Sequence, residues 1–284
     1  MKKQTELVLG DLDVFYISYD EPAKEEHWAN LMMKFPFAKR VDGVKGFDNA
    51  HKECARQSET ERFITIDGDN IVDERFFDLA ISIPPGTDLA TSIISWSAKN
   101  QVNGLVYGNG GIKCWPVDLV LEMKTHENAE DETKKVDFCW DLNYIQMNNI
   151  YSEVFNAGSP FQAFRAGYRE GVKMSLDGCY DVNFVDDYKL ENISSFDWFK
   201  SYFEEEVMPK VAGGEEKCSR TGVEWDYDKL YDECLYIGDI LNDKMSMEIV
   251  DPTPELGRFW KVNYHNPPRV ENPLATEKQT GWDR

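Results

Sequence analysis

Phe63-Ile64-Thr65-Ile66-Asp67-Gly68-Asp69-Asn70 is the most informative stretch of this 284-residue sequence. Its first four residues form a short apolar and β-branched run, which is typical of a buried strand. The strand leads directly into two aspartates separated by one glycine, a residue that lets the backbone turn tightly. Two carboxylates at such a strand end can both reach a hard divalent cation. The stretch therefore predicts a metal site with Asp67 and Asp69 as ligands.

Two strand–helix units precede this stretch. Apolar runs indicate strands, and apolar positions at helical spacing indicate helices. In order, the predicted elements are a strand at Val14 to Tyr19, a helix at Glu25 to Met33, a strand at Ala38 to Val44, a helix at Phe47 to Ser58 and a strand at Arg62 to Ile66. This alternation predicts an α/β fold with an open, mostly parallel sheet flanked by helices. In such sheets ligands bind outside the carboxyl ends of the strands.

The remaining chain shows weaker patterns. Further predicted elements are strands at Thr91 to Trp96, Leu105 to Tyr107 and Asn143 to Phe155, and helices at Val117 to Met123 and Pro160 to Met174. Residues 171–260 carry 21 acidic and 9 basic side chains, a local charge of −12, with helix-like segments. The last twenty residues, rich in Pro, Asn and Thr, predict an extended tail. We therefore expect a core at residues 1–175 and a helical, acidic C-terminal region at residues 176–284.

The overall charge excludes some classes of function for this protein. With 31 basic and 52 acidic side chains the net charge is −21, which excludes tight, sequence-blind binding to nucleic acid, because phosphate neutralisation needs an excess of Lys and Arg. No segment approaches the roughly 20 apolar residues of a membrane span, and no signal peptide is evident. We expect a cytoplasmic protein without a membrane partner. The six cysteines lack metal-ligand spacing and are expected to be reduced thiols.

Other acidic motifs compete for the Asp-Gly-Asp stretch. A calcium-binding EF-hand loop requires a ligand residue and a glycine where Ile71 and Val72 stand, so that motif is excluded. A phosphohydrolase of the haloacid dehalogenase type also has an apolar strand ending in Asp-x-Asp, and Gly238 to Asp243 matches its last motif. In those enzymes the first motif opens the domain, whereas two strand–helix units precede it here. This alternative is less favoured, and an ordinary solvated loop is the remaining one.

A family resemblance favours the metal-site interpretation of the Asp-Gly-Asp stretch. Gly43 to Arg56, Phe63 to Asp69 and Phe76-Phe77 together resemble the first half of the GT-A glycosyltransferases, in which a helix precedes the strand that bears Asp-x-Asp. The resemblance covers about residues 10–175. Within that class the chain is similar to bacteriophage enzymes that glycosylate hydroxymethylated pyrimidines in phage DNA. The segments that carry this second resemblance are Phe15 to Pro22, Arg40 to Gly46, Asn109 to Lys113 and Phe164 to Gly171.

The resemblance implies a GT-A-like, Rossmann-like fold and a nucleotide sugar as donor, with a UDP-sugar favoured. It implies that Asp67 and Asp69 hold Mn²⁺ or Mg²⁺ against the donor diphosphate. The donor-binding residues that the resemblance implies are Ser18, Tyr19, Asp20, Asp42, Lys45, Asp67, Gly110 and Gly111. The alternative for Lys45 is an ordinary surface lysine. The alternative for Gly110 and Gly111 is a plain tight turn.

A basic stripe is predicted on the helix at Pro160 to Met174. Arg165, Arg169 and Lys173 recur there every four residues, so they share one face of the helix. The stripe would bind the donor diphosphate or acceptor phosphates. The alternative is pairing with the acidic C-terminal region.

The resemblance also implies a general base and a further metal ligand. An inverting transfer needs a base that takes the proton of the acceptor hydroxyl, and it is expected at Asp141 or Asp137. Many GT-A enzymes add a histidine to the metal ligands. Among the four histidines, His265 is the expected one.

These expectations combine into one function and several alternatives. The chain is expected to move a sugar from a nucleotide sugar to a hydroxyl acceptor. The favoured acceptor is the 5-hydroxymethyl group of hydroxymethylcytosine in phage DNA, met transiently, and no protein partner is implied. A glycan or small-molecule acceptor stays open. So do a sugar nucleotidyltransferase, which releases pyrophosphate, and a non-catalytic interaction protein.

Overall fold

The computed structural model describes residues 5–83, 86–101, 106–107, 110–125, 128, 143–156, 158–159, 161–162, 165–166, 200–201, 204–205 and 276–279. The chain separates into two compact units. The first comprises Met1–Thr125, Cys139–Phe155 and His265–Arg284, and the second comprises His126–Phe138 and Asn156–Tyr264. All strands and helices named below belong to the first unit. The predicted boundary at residue 175 stays a prediction.

The described elements alternate strands and helices in the first third of the chain and are mainly strands after it. In chain order they are β1 (Thr5–Val8), β2 (Asp13–Ser18), α1 (Lys24–Lys34), β3 (Lys39–Asp42), α2 (Phe47–Gln57), β4 (Arg62–Asp67), β5 (Asn70–Val72), β6 (Leu79–Ile83), β7 (Ser92–Asn100), β8 (Val106–Tyr107), β9 (Ile112–Pro116), α3 (Val117–Glu122), β10 (Asn143–Val154) and β11 (Thr276–Gln279). Two short 3₁₀ turns, Leu9–Asp11 and Glu74–Asp78, connect β1 to β2 and β5 to β6.

Eight of these strands form one open sheet. Seven of them follow the order β3-β2-β4-β9-β7-β10-β5, and the eighth, β8, pairs with β7. β2 is parallel to both β3 and β4, and β10 is parallel to β7. β9 is antiparallel to both of its neighbours, β4 and β7. A smaller sheet has the order β1-β6-β11. The described part of the chain is therefore a mixed α/β fold.

The predicted elements are confirmed at β2 to β4 and again at β7, β8, α3 and β10, whereas the predicted strand pairing is corrected. β2, α1, β3, α2 and β4 lie where the hydrophobic pattern predicts them. The large sheet is mixed and not mostly parallel, because β9 inserts between β4 and β7. β8 is already antiparallel to β7, and β9, which follows it in the chain, pairs with β7 in the same sense. The small sheet was not predicted, and its β11 falls within the predicted tail.

The core explains the continuous apolar runs of the central strands. Both faces of β2 and β4 are covered, so neighbouring residues such as Phe63 and Ile64 are both fully buried and no alternation develops. Trp96 and Trp115 are the largest fully buried side chains among the described residues. Cys54 and Cys114 are buried free thiols whose pKa is raised by burial, in agreement with the expected reduced state. The other four cysteines lie outside the described residues.

Among the helices in the described part of the chain, none combines the length and the apolar character that a membrane span needs.

Candidate functional site

The candidate site lies at the carboxyl ends of β2 and β4. From β2 the chain leads to β3 on one side of the sheet, and from β4 it leads to β5 at the opposite edge. The crevice between two strands whose connections diverge in this way is where open α/β sheets bind ligands. The segments that follow the two strands, residues 19–21 and 68–70, therefore border this crevice.

The Asp-Gly-Asp loop is held by hydrogen bonds from distant parts of the chain to its backbone. The Asp67 amide donates to the carbonyl oxygen of Gly111 at 2.9 Å. The carbonyl oxygen of Gly68 accepts the Tyr16 hydroxyl at 2.7 Å and His27 Nδ1–H at 3.0 Å. Burial, followed by the charge of nearby acidic groups, raises the pKa of Tyr16 and keeps its hydroxyl protonated for donation. The loop is thus fixed before any ligand binds.

The second aspartate is fixed through both its backbone and its side chain. Its carbonyl oxygen accepts the Phe155 amide at 2.7 Å. Its Oδ1 accepts Asn70 Nδ2 at 2.7 Å. Asn70 is only 3% exposed, and its Oδ1 has no hydrogen-bond partner among the described residues. An unsatisfied buried acceptor costs about 1–3 kcal/mol, so its presence beside Asp69 requires an explanation.

Three carboxyl groups crowd this loop. A Cβ atom on Gly68 would lie 2.7 Å from Glu21 Oε2, so the Glu21 carboxylate rests directly against the glycine. Burial, then the charges of Asp67 and Glu21, raise the pKa of Asp69 to about 7. Burial also raises the pKa of Asp67 and of Glu21. All three side chains are half-buried, so ionising them together would place like charges where water screens them poorly.

One buried cation partly offsets this charge. Lys113 of β9 is 5% exposed and donates from Nζ to the Gly110 carbonyl oxygen at 2.9 Å. Its positive charge opposes the effect of burial on the pKa of Asp67. Within the described part of the chain, no side-chain hydrogen bond reaches the Asp67 carboxylate. One lysine therefore cannot neutralise all three carboxyl groups when they are ionised.

These residues fit a hard divalent cation that is completed by substrate. Mg²⁺-type ions are commonly held by one or two carboxylates and substrate phosphates, with water in the other positions. Asp67 and Asp69 can supply the carboxylates, and the unpartnered amide oxygen of Asn70 is the orphaned polar atom expected beside a ligand site. Among the described residues no group of three or more His, Cys, Asp or Glu side chains is arranged to hold a metal alone. The predicted third ligand, His265, lies outside the described residues.

A second polar cluster lies at the ends of β2 and β3. Asp42 Oδ1 accepts the Ser18 hydroxyl at 2.7 Å, Lys24 Nζ at 2.8 Å and Arg40 Nη2 at 3.4 Å. Burial alone would raise the pKa of Asp42, but the hydrogen bonds from Lys24 and Ser18 and the charge of Arg40 outweigh it and lower the pKa. The structure thus brings together two predicted donor-binding residues, Ser18 and Asp42. Each already has protein partners.

Arg40 ties this cluster to an aromatic pair. Its guanidinium binds both carboxylate oxygens of Glu25, at 2.8 and 2.7 Å. It also lies over the rings of Tyr16 and Trp28, with its central carbon 5.7 and 5.8 Å from their centroids. Bidentate pairing and stacking are contacts that arginine makes better than lysine. The charged groups of this cluster therefore have ion-pair and hydrogen-bond partners within the cluster itself.

The other predicted donor-binding residues are more scattered. Tyr19 is half-buried, whereas Asp20 and Lys45 are exposed. The two glycines have packing roles of their own: a Cβ on Gly110 would lie 2.4 Å from Ala98 Cβ, and a Cβ on Gly111 would collide with Asn70. Their donor-binding role stays a prediction.

The predicted helix that carries the basic stripe is described only in part. Residues 161–162 and 165–166 are helical, and Arg165 is half-buried. The predicted residues outside the described part of the chain are Asp137, Asp141, Arg169, Lys173 and His265.

Three residues of the site were not predicted. Glu21 directly follows the predicted Asp20 at the end of β2, and Asn70 directly follows the Asp-Gly-Asp motif, so position alone was their signal. Lys113 is a charged residue within an apolar strand, which is a stronger signal because a buried lysine needs a compensating partner. None of the three stands out without the tertiary contacts.

Comparisons with known proteins do not assign a family. The sequence matches no known family, and no curated protein is a significant relative. Two solved structures overlap with 54% of this chain. One is a proposed glucose-1-phosphate thymidylyltransferase from Bacillus anthracis, solved with a sucrose, at 10% identity, TM-score 0.33 and 93% coverage of its own chain. The other is HddC from Yersinia pseudotuberculosis, at 13% identity, TM-score 0.28 and 76% coverage. Neither score reaches 0.5, so neither likeness identifies the fold family.

Proposed function

We propose that this chain is a metal-dependent glycosyltransferase that uses a nucleotide sugar. The observation that carries the proposal is the crowding of the Asp67, Asp69 and Glu21 carboxyl groups at the strand ends bordering the crevice, with an orphaned Asn70 oxygen beside them. A diphosphate alone would be repelled there. A divalent cation resolves the conflict, because it binds carboxylates and phosphates at once.

The proposed reaction forms one bond and breaks one. The acceptor hydroxyl oxygen bonds to the anomeric carbon of the sugar, and the bond from that carbon to the diphosphate oxygen breaks. A divalent cation, when bound, neutralises the charge that develops on the departing nucleoside diphosphate. Asp67 and Asp69 would hold that cation. The hydroxyl proton passes to a general base, for which Asp141 and Asp137 stay the candidates.

The donor's nucleoside would lie at the ends of β2 and β3. Asp42 and Ser18 border this part of the sheet edge, and the Asp42 carboxylate is 41% exposed and able to accept a ribose hydroxyl. The bonds that Ser18 and Lys24 make to Asp42 fix the direction in which it presents its oxygens. A UDP-sugar is the proposed donor, with Tyr19, Asp20 and Lys45 as further contacts.

The proposed acceptor is the 5-hydroxymethyl group of a modified pyrimidine in DNA. This part of the proposal rests on the sequence resemblance to phage enzymes. A base in duplex DNA would have to turn out of the stack to reach the crevice. Residues 176–284 are proposed as the acceptor side, with Arg165 and Arg169 contacting donor or acceptor phosphates. The net charge of −21 restricts such an encounter to a transient one.

Donor turnover is the direct test of the proposed chemistry. The protein is incubated with a panel of nucleotide sugars and Mn²⁺, and the released nucleotide is identified. Nucleoside diphosphate is expected, and its release should fall about 100–1000-fold in Asp67→Asn and Asp69→Asn. Asp118→Asn, an exposed aspartate on α3, is the matched control and should leave turnover unchanged. Pyrophosphate release would instead identify a nucleotidyltransferase, and phosphoester hydrolysis a phosphatase.

Acceptor identity needs a separate measurement. Hydroxymethylated DNA, unmodified DNA and a glycan panel are treated with the enzyme and the active donor, and mass gain is measured. A mass gain equal to one sugar on hydroxymethylated DNA alone supports the proposed acceptor. A gain on glycans, with none on DNA, would reject it while keeping the glycosyltransferase.

A further inference from the structure

We infer that Asn70 is a positioning residue that orients the Asp69 carboxylate for the divalent cation, and that Gly111 is the surface that fixes the Asn70 amide. The inference rests on the metal site of the proposed function. It adds two residues to that site, each with a defined role. Neither role is contained in the Asp-x-Asp motif itself.

The orientation of the Asn70 amide is set by Asp69. Its Nδ2 donates to Asp69 Oδ1 at 2.7 Å, while its Oδ1 has no partner. Turning the amide over would place its oxygen against the carboxylate oxygen, and two acceptors repel each other. The observed orientation therefore keeps the bond to Asp69 at the expense of a buried, unsatisfied oxygen. Retention of such an oxygen is understandable where the carboxylate must point in one direction.

Gly111 bounds one side of the Asn70 amide. A Cβ atom on Gly111 would lie 2.0 Å from Asn70 Nδ2, 2.5 Å from its Cγ and 2.8 Å from its Oδ1. The Asn70 amide therefore occupies the space that a side chain at position 111 would fill. The same glycine accepts the Asp67 amide at 2.9 Å. Gly111 thus contacts the chain on both sides of the Asp-Gly-Asp turn.

The backbone on the other side of Asn70 is fixed as well. Asn70 begins β5, where it pairs with Val154 of β10, and the Phe155 amide binds the Asp69 carbonyl oxygen at 2.7 Å. The side chain therefore extends from a fixed backbone toward a fixed carboxylate. Groups that hold a metal-binding side chain in this way affect metal affinity about 10–100-fold when they are removed.

Direct measurement of Mn²⁺ binding tests the inference without relying on turnover. The dissociation constant of Mn²⁺ is measured by electron paramagnetic resonance of the free ion, with and without UDP. Asn70→Ala is expected to raise it about 10–100-fold. Asn70→Ser, which also removes the amide, should raise it too and serves if the alanine variant is unstable. Asn143→Ala, which removes an exposed asparagine that donates to Thr91 Oγ1 at 3.3 Å, should have no effect.

A double-mutant cycle at Gly111 and Asn70 tests the role of Gly111. Gly111→Ala should weaken Mn²⁺ binding, because the new methyl group displaces the Asn70 amide. In the Asn70→Ala background the atoms that it would strike are absent, so Gly111→Ala should cause no further loss. Equal losses from Gly111→Ala in both backgrounds would reject Gly111 as the surface that fixes the amide.

The outcomes separate this inference from the proposed function. A folded Asn70→Ala variant, shown by an unchanged circular dichroism spectrum, that binds Mn²⁺ as tightly as the wild type would overturn the role of Asn70 and leave the metal site intact. If the wild type itself binds no Mn²⁺ with or without UDP, the metal site and the role of Asn70 both fall.

Discussion

Asp42 and Asp69 follow parallel strands at the same end of one sheet, yet the pKa values of their carboxyl groups shift in opposite directions. The pKa of Asp42 is lowered, because Lys24, Ser18 and Arg40 bind it strongly enough to outweigh burial. The pKa of Asp69 is raised to about 7, because burial and two like charges outweigh the hydrogen bonds from the Asn70 side chain and from its own backbone amide. Two aspartates that are identical in the sequence thus have pKa values shifted in opposite directions, because their surroundings in the fold differ.

The difference distinguishes a structural ion-pair cluster from a ligand site. Around Asp42 the chain supplies the cations itself, so the cluster is complete without a ligand. Around Asp69 the described residues supply acidic groups and one amide, with Lys113 acting mainly on Asp67. Perturbed groups in a crevice, whose charge the protein leaves uncompensated, are typical of functional sites.

Asparagine substitution at Asp69 should have the largest effect on activity and little cost in stability. Loss of the cation removes several kcal/mol of transition-state stabilisation, and each 1.36 kcal/mol is tenfold in rate, so turnover should fall about 100–1000-fold. The midpoint of thermal unfolding should rise slightly, because one of three crowded charges is removed. Steady-state kinetics and thermal unfolding of Asp69→Asn measure both. Loss of stability together with activity would place Asp69 with the structural cluster.

Added Mn²⁺ should stabilise the wild-type protein through the same region. At a free concentration one hundred times the dissociation constant, a ligand that binds only the folded state adds about 2.7 kcal/mol. The thermal midpoint should therefore rise with Mn²⁺ and stay constant in Asp67→Asn. Asp42→Asn is the control from the other cluster and should respond as the wild type does. An Mn²⁺ response that survives in Asp67→Asn would show that the ion binds elsewhere.

Removal of Arg40 should affect stability through the structural cluster. Arg40→Ala loses the bidentate bond to Glu25, a bond to Asp42 and stacking on two rings, which together are worth about 1–2 kcal/mol. Urea unfolding measures this loss. Arg56→Ala is the matched control, because Arg56 is 60% exposed and makes one pair with Glu53, so it should cost at most about 0.5 kcal/mol. Equal losses would mean that the Arg40 cluster contributes no more than a surface pair.

The smallest expected effect is a pH-dependent one at Asp42. Its folded-state pKa lies below the ordinary 3.8, so its contribution is present above that value and is lost as the pH falls through the folded-state pKa. Asp42→Asn should therefore be less stable than the wild type near neutral pH, by less than about 1 kcal/mol for so exposed a group. The difference should vanish once the pH lies below the folded-state pKa. Urea unfolding across this range tests it, and a constant difference would contradict the assignment.

The elements that hold the site follow from local patterns. Buried strands are predicted directly by the apolar runs Val14-Phe15-Tyr16 and Phe63-Ile64. A helix is predicted by the helical spacing of Ala50, Cys54 and neighbouring positions. These patterns depend on residues a few positions apart, so they are visible before folding. The placement of Asp67 and Asp69 at a strand end follows in the same way.

The contacts that give the site its character are non-local. Lys113 lies opposite Thr65 across the β9–β4 pair, which joins segments about fifty residues apart, and no spacing rule predicts that register. The contact between Gly111 and Asn70 depends on the same pairing. The antiparallel insertion of β9 was therefore the main error of the sequence-based fold, and it hid the partners of the Asp-Gly-Asp loop.

The amino-acid order alone established the strand–helix alternation, the two aspartates at a strand end and the acidic balance of the chain, because these depend on residue identity and short-range periodicity. Which carboxylates are neutralised, and which are left with excess charge, was settled by folding. Electrostatic energy depends on distance and burial, and both are set when β9 brings Lys113 and Gly111 beside β4, and when the end of β2 brings Glu21 against Gly68.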